Sequence, residues 1–140
     1  MHYQKILLSL TGEADERSVV DEAMKLQSFF DATLSVVVVN DPGAGKSHMM
    51  MAGLPRIEES DIREQLRRFG YGDRMDDLHL LMVDSENEAE AIARVTKGFD
   101  LLIMGHHRKG IIMAHLKDST DEHVADRVRC PILLVPIESD

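Results

Sequence analysis

Five short apolar runs, separated by stretches of helix or loop length, organise this chain. Ile6-Leu7-Leu8-Ser9-Leu10 comes first, Leu34 to Val39 follows with Val36-Val37-Val38-Val39 at its end, and Leu78 to Val83 is third. Leu101-Leu102-Ile103-Met104 stops at Gly105, and Ile132-Leu133-Leu134-Val135 is bracketed by Pro131 and Pro136. Runs of this kind, apolar without alternation and cut off at Gly or Pro, are strands buried on both faces. Between the first two runs, Val19, Val20, Ala23, Met24, Leu26, Gln27 and Phe30 form a pattern whose apolar members recur every three to four positions, an amphipathic helix. Thr11-Gly12-Glu13-Ala14 is the turn leading into it. Ile57, Ile62, Leu66 and Phe69 predict a second helix, with Glu59 and Arg63 spaced for a surface ion pair. Ser85-Glu86-Asn87-Glu88 has the form of a capping box and launches a third helix through Ala89 to Val95, ending near Lys97-Gly98. Ser119-Thr120-Asp121-Glu122 repeats that form before the last strand. Strands alternating with helices predict a parallel sheet with crossover helices, an α/β fold in three layers.

Composition narrows the function. A chain of 140 residues, 44% hydrophobic, can bury one sizeable core, so a single domain over residues 1–140 is expected. A formal net charge of -9 argues against a nucleic-acid surface, which needs clustered Lys and Arg, and equally against an anionic membrane. No apolar run approaches the roughly 20 residues of a membrane-spanning helix. Met1-His2-Tyr3-Gln4-Lys5 leads straight into a strand, without the apolar core of a signal peptide. A cytoplasmic protein is expected, and its single cysteine agrees with a reducing compartment.

Candidate chemistry is sparse. Asn40-Asp41-Pro42-Gly43-Ala44-Gly45-Lys46-Ser47 nearly spells Gly-x-x-x-x-Gly-Lys-Ser, the loop whose backbone N–H groups wrap a phosphate. Asn40 takes the place of the first Gly, Gly53-Leu54-Pro55 cuts off the helix that should follow, and no other strand is expected to end in the Asp that would orient Mg²⁺. Asn40 to Pro55 therefore reads as a long polar loop, its Met49-Met50-Met51 run serving packing or an adaptable surface. Cys130, at a helix-to-strand junction, would need a base such as His123 and an electropositive setting to act as a nucleophile, and reads instead as half-buried structure. Metal binding needs three or four converging ligands, and the spacings of His106, His107, His115 and His123 match no ligand motif, so no metal site is expected. With no Ser/His/Asp order either, no enzyme is expected.

The helix Ala89-Glu90-Ala91-Ile92, the strand Leu101 to Gly105 and the closing Cys130-Pro131-Ile132-Leu133-Leu134-Val135 resemble the ending of the universal stress protein family. The resemblance implies five parallel strands in the order 3-2-1-4-5, with a ligand crevice beyond the carboxyl ends of strands one and four, where the strand order reverses. In the family's nucleotide-binding branch an Asp after strand one meets the adenine, and a Gly-x2-Gly-x9-Gly-Ser/Thr loop after strand four cradles ribose and phosphates. Aligned residue by residue, Thr11 stands at the Asp position and Gly105 at the first Gly. Arg108 replaces the second Gly, Gly110 comes two residues later, and Asp118-Ser119 stands where Gly-Ser should be. Thr11 is a weaker acceptor than a carboxylate, and Asp118, Asp121 and Glu122 crowd a helix end that a phosphate would need. Arg108-Lys109 is the opposing feature, since it could lie over a phosphate. Gly105-His106-His107 is a feature of the A-type branch, which generally lacks the phosphate loop and is thought not to bind ATP.

The expected protein is thus a non-enzymatic, A-type universal stress protein without a cofactor, acting as a homodimer. Its seam is expected along Ile132, Leu133, Leu134 and Val135, an apolar sheet edge that invites pairing with the same strand of a second copy. One alternative is an ATP- or AMP-binding member, with Thr11, Val39, Gly105, Arg108, Gly110 and Ser119 around the ligand. Another is a small-ligand or metal sensor at the His106-His107 crevice between strands one and four. The stress served and the protein partners stay open.

Overall fold

The computed structural model describes residues 3–45, 55–107 and 120–137. Along the chain run β1 (Lys5–Ser9), α1 (Arg17–Phe30), β2 (Thr33–Asn40), α2 (Glu59–Arg68), a 3-10 turn (Gly72–Asp77), β3 (Leu78–Asp84), α3 (Glu88–Val95), β4 (Leu101–His107), α4 (Thr120–Arg127) and β5 (Ile132–Ile137). The five strands form one sheet in the order β3-β2-β1-β4-β5, with every pairing parallel. This is the order expected from the sequence.

Strand geometry sends successive side chains to opposite faces, so each apolar run feeds two cores. Ile6, Leu8, Leu34, Val36, Val38, Leu101 and Ile103 join Val19, Val20, Ala23 and Met24 of α1 and Ile62 and Leu66 of α2. Leu7, Val37, Leu102 and Met104 point the other way, toward Ala89 and Ile92 of α3 and Val124 of α4. That division explains why β1, β2 and β4 are apolar on both faces, with Ser9 and Ser35 as buried exceptions. β3 and β5, at the two edges, are only half-buried over most of their length.

Local signals differ from the sequence reading at four points. α3 is capped by Asn87, whose side-chain oxygen accepts the Glu90 N–H at 3.0 Å. Ser85 instead turns its hydroxyl onto the Asn87 backbone, accepting the N–H and donating to the C=O at 3.1 Å each, which delays the helix by two residues. Asn40, expected in the loop, is the last residue of β2 and is buried. β3 runs on to Asp84, so a strand does end in Asp, but that carboxylate pairs with Arg56 at 2.9 Å. β5 includes Pro136 rather than stopping before it, which places a residue without an N–H inside the edge strand. The Glu59–Arg63 ion pair forms as expected, at 2.8 Å. Among the described residues no helix is long and apolar enough to cross a membrane.

Candidate functional site at the ends of strands one and four

The chain leaves β1 toward β2 and β3 on one side and returns through β4 and β5 on the other, so the order reverses between β1 and β4. Ser9 pairs with Met104 at the top of this junction. The loop from Leu10 to Glu16 and the last residues of β4 flank this junction, where folds of this class place their ligand crevice.

A buried carboxylate organises the first wall. Glu16, 4% exposed, reaches back along the loop and accepts the Thr11 N–H at 2.8 Å, the Thr11 hydroxyl at 3.0 Å and the Gly12 N–H at 2.9 Å. Burial raises its pKa above the ordinary carboxylate value, and the hydrogen bonds from Thr11 and Gly12 pull against that rise. Thr11, the residue expected at the family's adenine-contacting position, therefore spends its hydroxyl proton on Glu16. The same oxygen receives the Glu13 N–H at 3.4 Å. An aspartate at position 11 in this conformation would set its carboxylate against that of Glu16.

Gly12 has φ of +91°, a backbone state that glycine adopts without steric cost. Ile57 packs over it, its side-chain carbons 3.1 to 3.2 Å from where a Cβ would stand. Ile57 is held there by Asn40, whose amide nitrogen donates to the Ile57 C=O at 2.9 Å and whose oxygen accepts the Ile57 N–H at 3.0 Å. The segment returning from the long loop is thereby pinned to the end of β2, with an aliphatic side chain over the β1 exit. Asp41, next to the clamp, makes a local turn by accepting the Gly43 N–H at 2.8 Å.

On the second wall, Gly105 has a packing reason for its missing side chain. A Cβ there would meet Ile137 Cδ1 at 2.5 Å and Val19 Cγ2 at 3.0 Å. A side chain there would crowd the contact of β4 with β5 and α1, a packing reason for glycine that involves no ligand. Val39 is partly buried near the end of β2 and packs against the core on the α3 and α4 side. His107 ends β4 exposed, its Nε2 3.4 Å from Asp15 Oδ2 of the β1–α1 loop. Glu13, Asp15 and His107 bring their ligand atoms within 4.8 Å of one another. Thr11 and Gly105 thus lie on the two walls. Arg108, Gly110 and Ser119, together with Lys109, Asp118, and Lys46-Ser47 of the P-loop-like stretch, lie outside the described residues.

Cys130 is half-buried between α4 and β5, and desolvation raises its thiol pKa, the opposite of an activated thiolate. The sequence reading passed over Glu16, placed Asn40 in the long loop, and counted Ile57 in the pattern of α2, which begins only at Glu59. Their only local signals are a charged residue just ahead of a helical pattern, an amide closing a strand, and an apolar residue ahead of α2.

The model of the universal stress protein family matches residues 2–136. No curated protein matches the sequence. Among solved structures, a universal stress protein in complex with cAMP is 20% identical with a TM-score of 0.68, the match covering 98% of this chain and 99% of that one. Universal stress protein UspA from Lactobacillus plantarum is 16% identical with a TM-score of 0.62, over 96% and 99% of the two chains. The universal stress protein from Archaeoglobus fulgidus in complex with dAMP is 16% identical with a TM-score of 0.58, again over 96% and 99%.

Proposed function

Because this chain belongs to the universal stress protein family, we propose that it is a cytoplasmic, non-enzymatic stress-response factor of the A-type, working as a homodimer without bound ATP. The observation that carries this reading is the engagement of Thr11. At the position where the nucleotide-binding branch offers a carboxylate to adenine, this chain has a hydroxyl donating inward to buried Glu16 at 3.0 Å. Ile57, packed over Gly12 beside it, supports the same reading, since it lies over the β1 exit that the ligand would approach. Gly105, the remaining family glycine among the described positions, is accounted for by packing.

A second reading is favoured by the structural neighbours that hold cAMP and dAMP. In it an adenine nucleotide enters the crevice between β1 and β4, past Thr11, Val39 and Gly105, with Arg108, Gly110 and Ser119 completing its surroundings. Native mass spectrometry of the purified protein, with thermal unfolding in millimolar ATP, AMP and cAMP, separates the two. The expected result is a protein free of nucleotide whose melting temperature none of the three moves, because any ligand bound at saturation must stabilise the fold by mass action. Stoichiometric nucleotide on the purified chain, or a rise of several degrees, would establish the second reading.

A further inference from the structure

We propose that Glu13, Asp15 and His107 form a binding site for a divalent transition-metal ion, which clasps the β1–α1 loop to the end of β4. Each residue offers one ligand atom, and the three atoms lie within 4.8 Å of one another. One pair, His107 Nε2 and Asp15 Oδ2, is 3.4 Å apart. Two donors held by a zinc ion at about 2.1 Å in tetrahedral geometry also stand about 3.4 Å apart. That pair is therefore already spaced for an ion, and Glu13 brings a carboxylate oxygen within 4.8 Å of both. The backbone beneath is anchored, because buried Glu16 holds the Thr11 and Gly12 N–H groups immediately before Glu13.

The donor set selects the class of ion. One imidazole with two carboxylates suits a first-row transition ion such as Zn²⁺, whereas Mg²⁺ and Ca²⁺ prefer oxygen alone. Three protein ligands leave at least one position of a tetrahedral ion open to water or to an outside ligand. All three side chains are exposed, so the ion would exchange with solution. Loaded, the site adds a metal link between the two walls of the crevice, alongside the His107–Asp15 contact. It requires no nucleotide phosphate, and stands whichever reading of the crevice holds. The sequence hides it because the histidine and the carboxylates belong to different elements, joined only by the pairing of β1 with β4.

The test is titration calorimetry of the untagged full chain with ZnCl₂ in chelator-treated buffer free of nucleotide. One equivalent should bind saturably. Glu13→Gln, Asp15→Asn and His107→Gln should each weaken binding tenfold or more, while Cys130→Ser and His123→Gln leave it unchanged. MgCl₂ should bind at least a hundredfold more weakly. In spectra of ¹⁵N-histidine protein, the His107 imidazole should shift on adding one equivalent of Zn²⁺, a readout that needs no variant. Absence of saturable binding up to millimolar Zn²⁺, an unmoved His107, or affinity lost with Cys130→Ser or His123→Gln but kept in the three site variants would overturn the proposal. Equal affinity for Mg²⁺ would overturn the assignment to a transition metal.

Discussion

Gly105 and Glu16 each carry a role that their residue type alone does not announce. At Gly105 a methyl group would fall 2.5 Å from Ile137 Cδ1, far inside contact distance and against a neighbour that is itself buried. Gly105→Ala should destabilise the fold by about 1–3 kcal/mol, the usual cost of overpacking a core. Removing the offending Cδ1 in Gly105→Ala/Ile137→Val should recover part of the loss in urea denaturation. A single variant as stable as wild type would return the glycine to a ligand role. Glu16 makes a prediction in pH. Its folded pKa is raised, mainly by burial, above an ordinary value of 4.5, so folding favours the protonated carboxyl. The resulting contribution is fully present below the unfolded value and is lost as pH rises through the folded one. Relative to Glu16→Gln, wild type should therefore be more stable at pH 4 than at pH 7. Urea midpoints of the two proteins at both pH values test this, and an advantage growing with pH would reverse the sign. The comparison cancels Asp100, whose carboxylate is lowered by accepting the Gln4 and Lys5 N–H groups and whose contribution runs the other way in both proteins.

At the scale of elements, the structure turns on how segments are tied where the regular pattern stops. β2 ends in Asn40, and the amide of that residue does for Ile57 what a neighbouring strand would do, meeting both its N–H and its C=O. Asn40→Ala would leave those groups to find new partners at a part-buried site, at a cost of about 1–3 kcal/mol. Hydrogen exchange at the Ile57 amide should quicken more than tenfold in that variant. Unchanged exchange would mean that the Asn40 clamp does not hold the segment over Gly12. The shifted cap of α3 has a similar origin. Ser85 and Asn87 are both good capping residues, and the choice between them depends on where the chain can leave β3, which is paired with β2 as far as Asp84. A four-residue motif carries no information about that exit, so the helix was legible and its first residue was not.

For the molecule as a whole, the open question of assembly centres on β5. The strand is an edge, Leu134 is 43% exposed, and β4 occupies its other side. Pro136 lies inside the strand and has no N–H to offer, so an added strand would pair chiefly along Ile132 to Val135. The proposed homodimer should appear in sedimentation at micromolar concentration, and Leu134→Lys should shift it to monomer or to insoluble protein. A wild-type monomer would remove the dimer from the proposed function, and a dimer indifferent to Leu134→Lys would move the seam away from this edge. The strands, the helices and their alternation can be read from the local pattern alone. A strand covered on both faces must be largely apolar and an amphipathic helix must repeat every turn, and both constraints are written locally. With the family resemblance, the strand order was legible too. It takes the packed fold to commit Thr11 to Glu16, to hold Ile57 over Gly12 through Asn40, to crowd position 105 with Ile137 and Val19, and to bring His107 to Asp15. Each is a contact between separate segments, or a side chain reaching back along its own loop. Such contacts depend on side-chain direction and on the approach of packed layers to within a few tenths of an ångström, which no local pattern of hydrophobic and polar residues records.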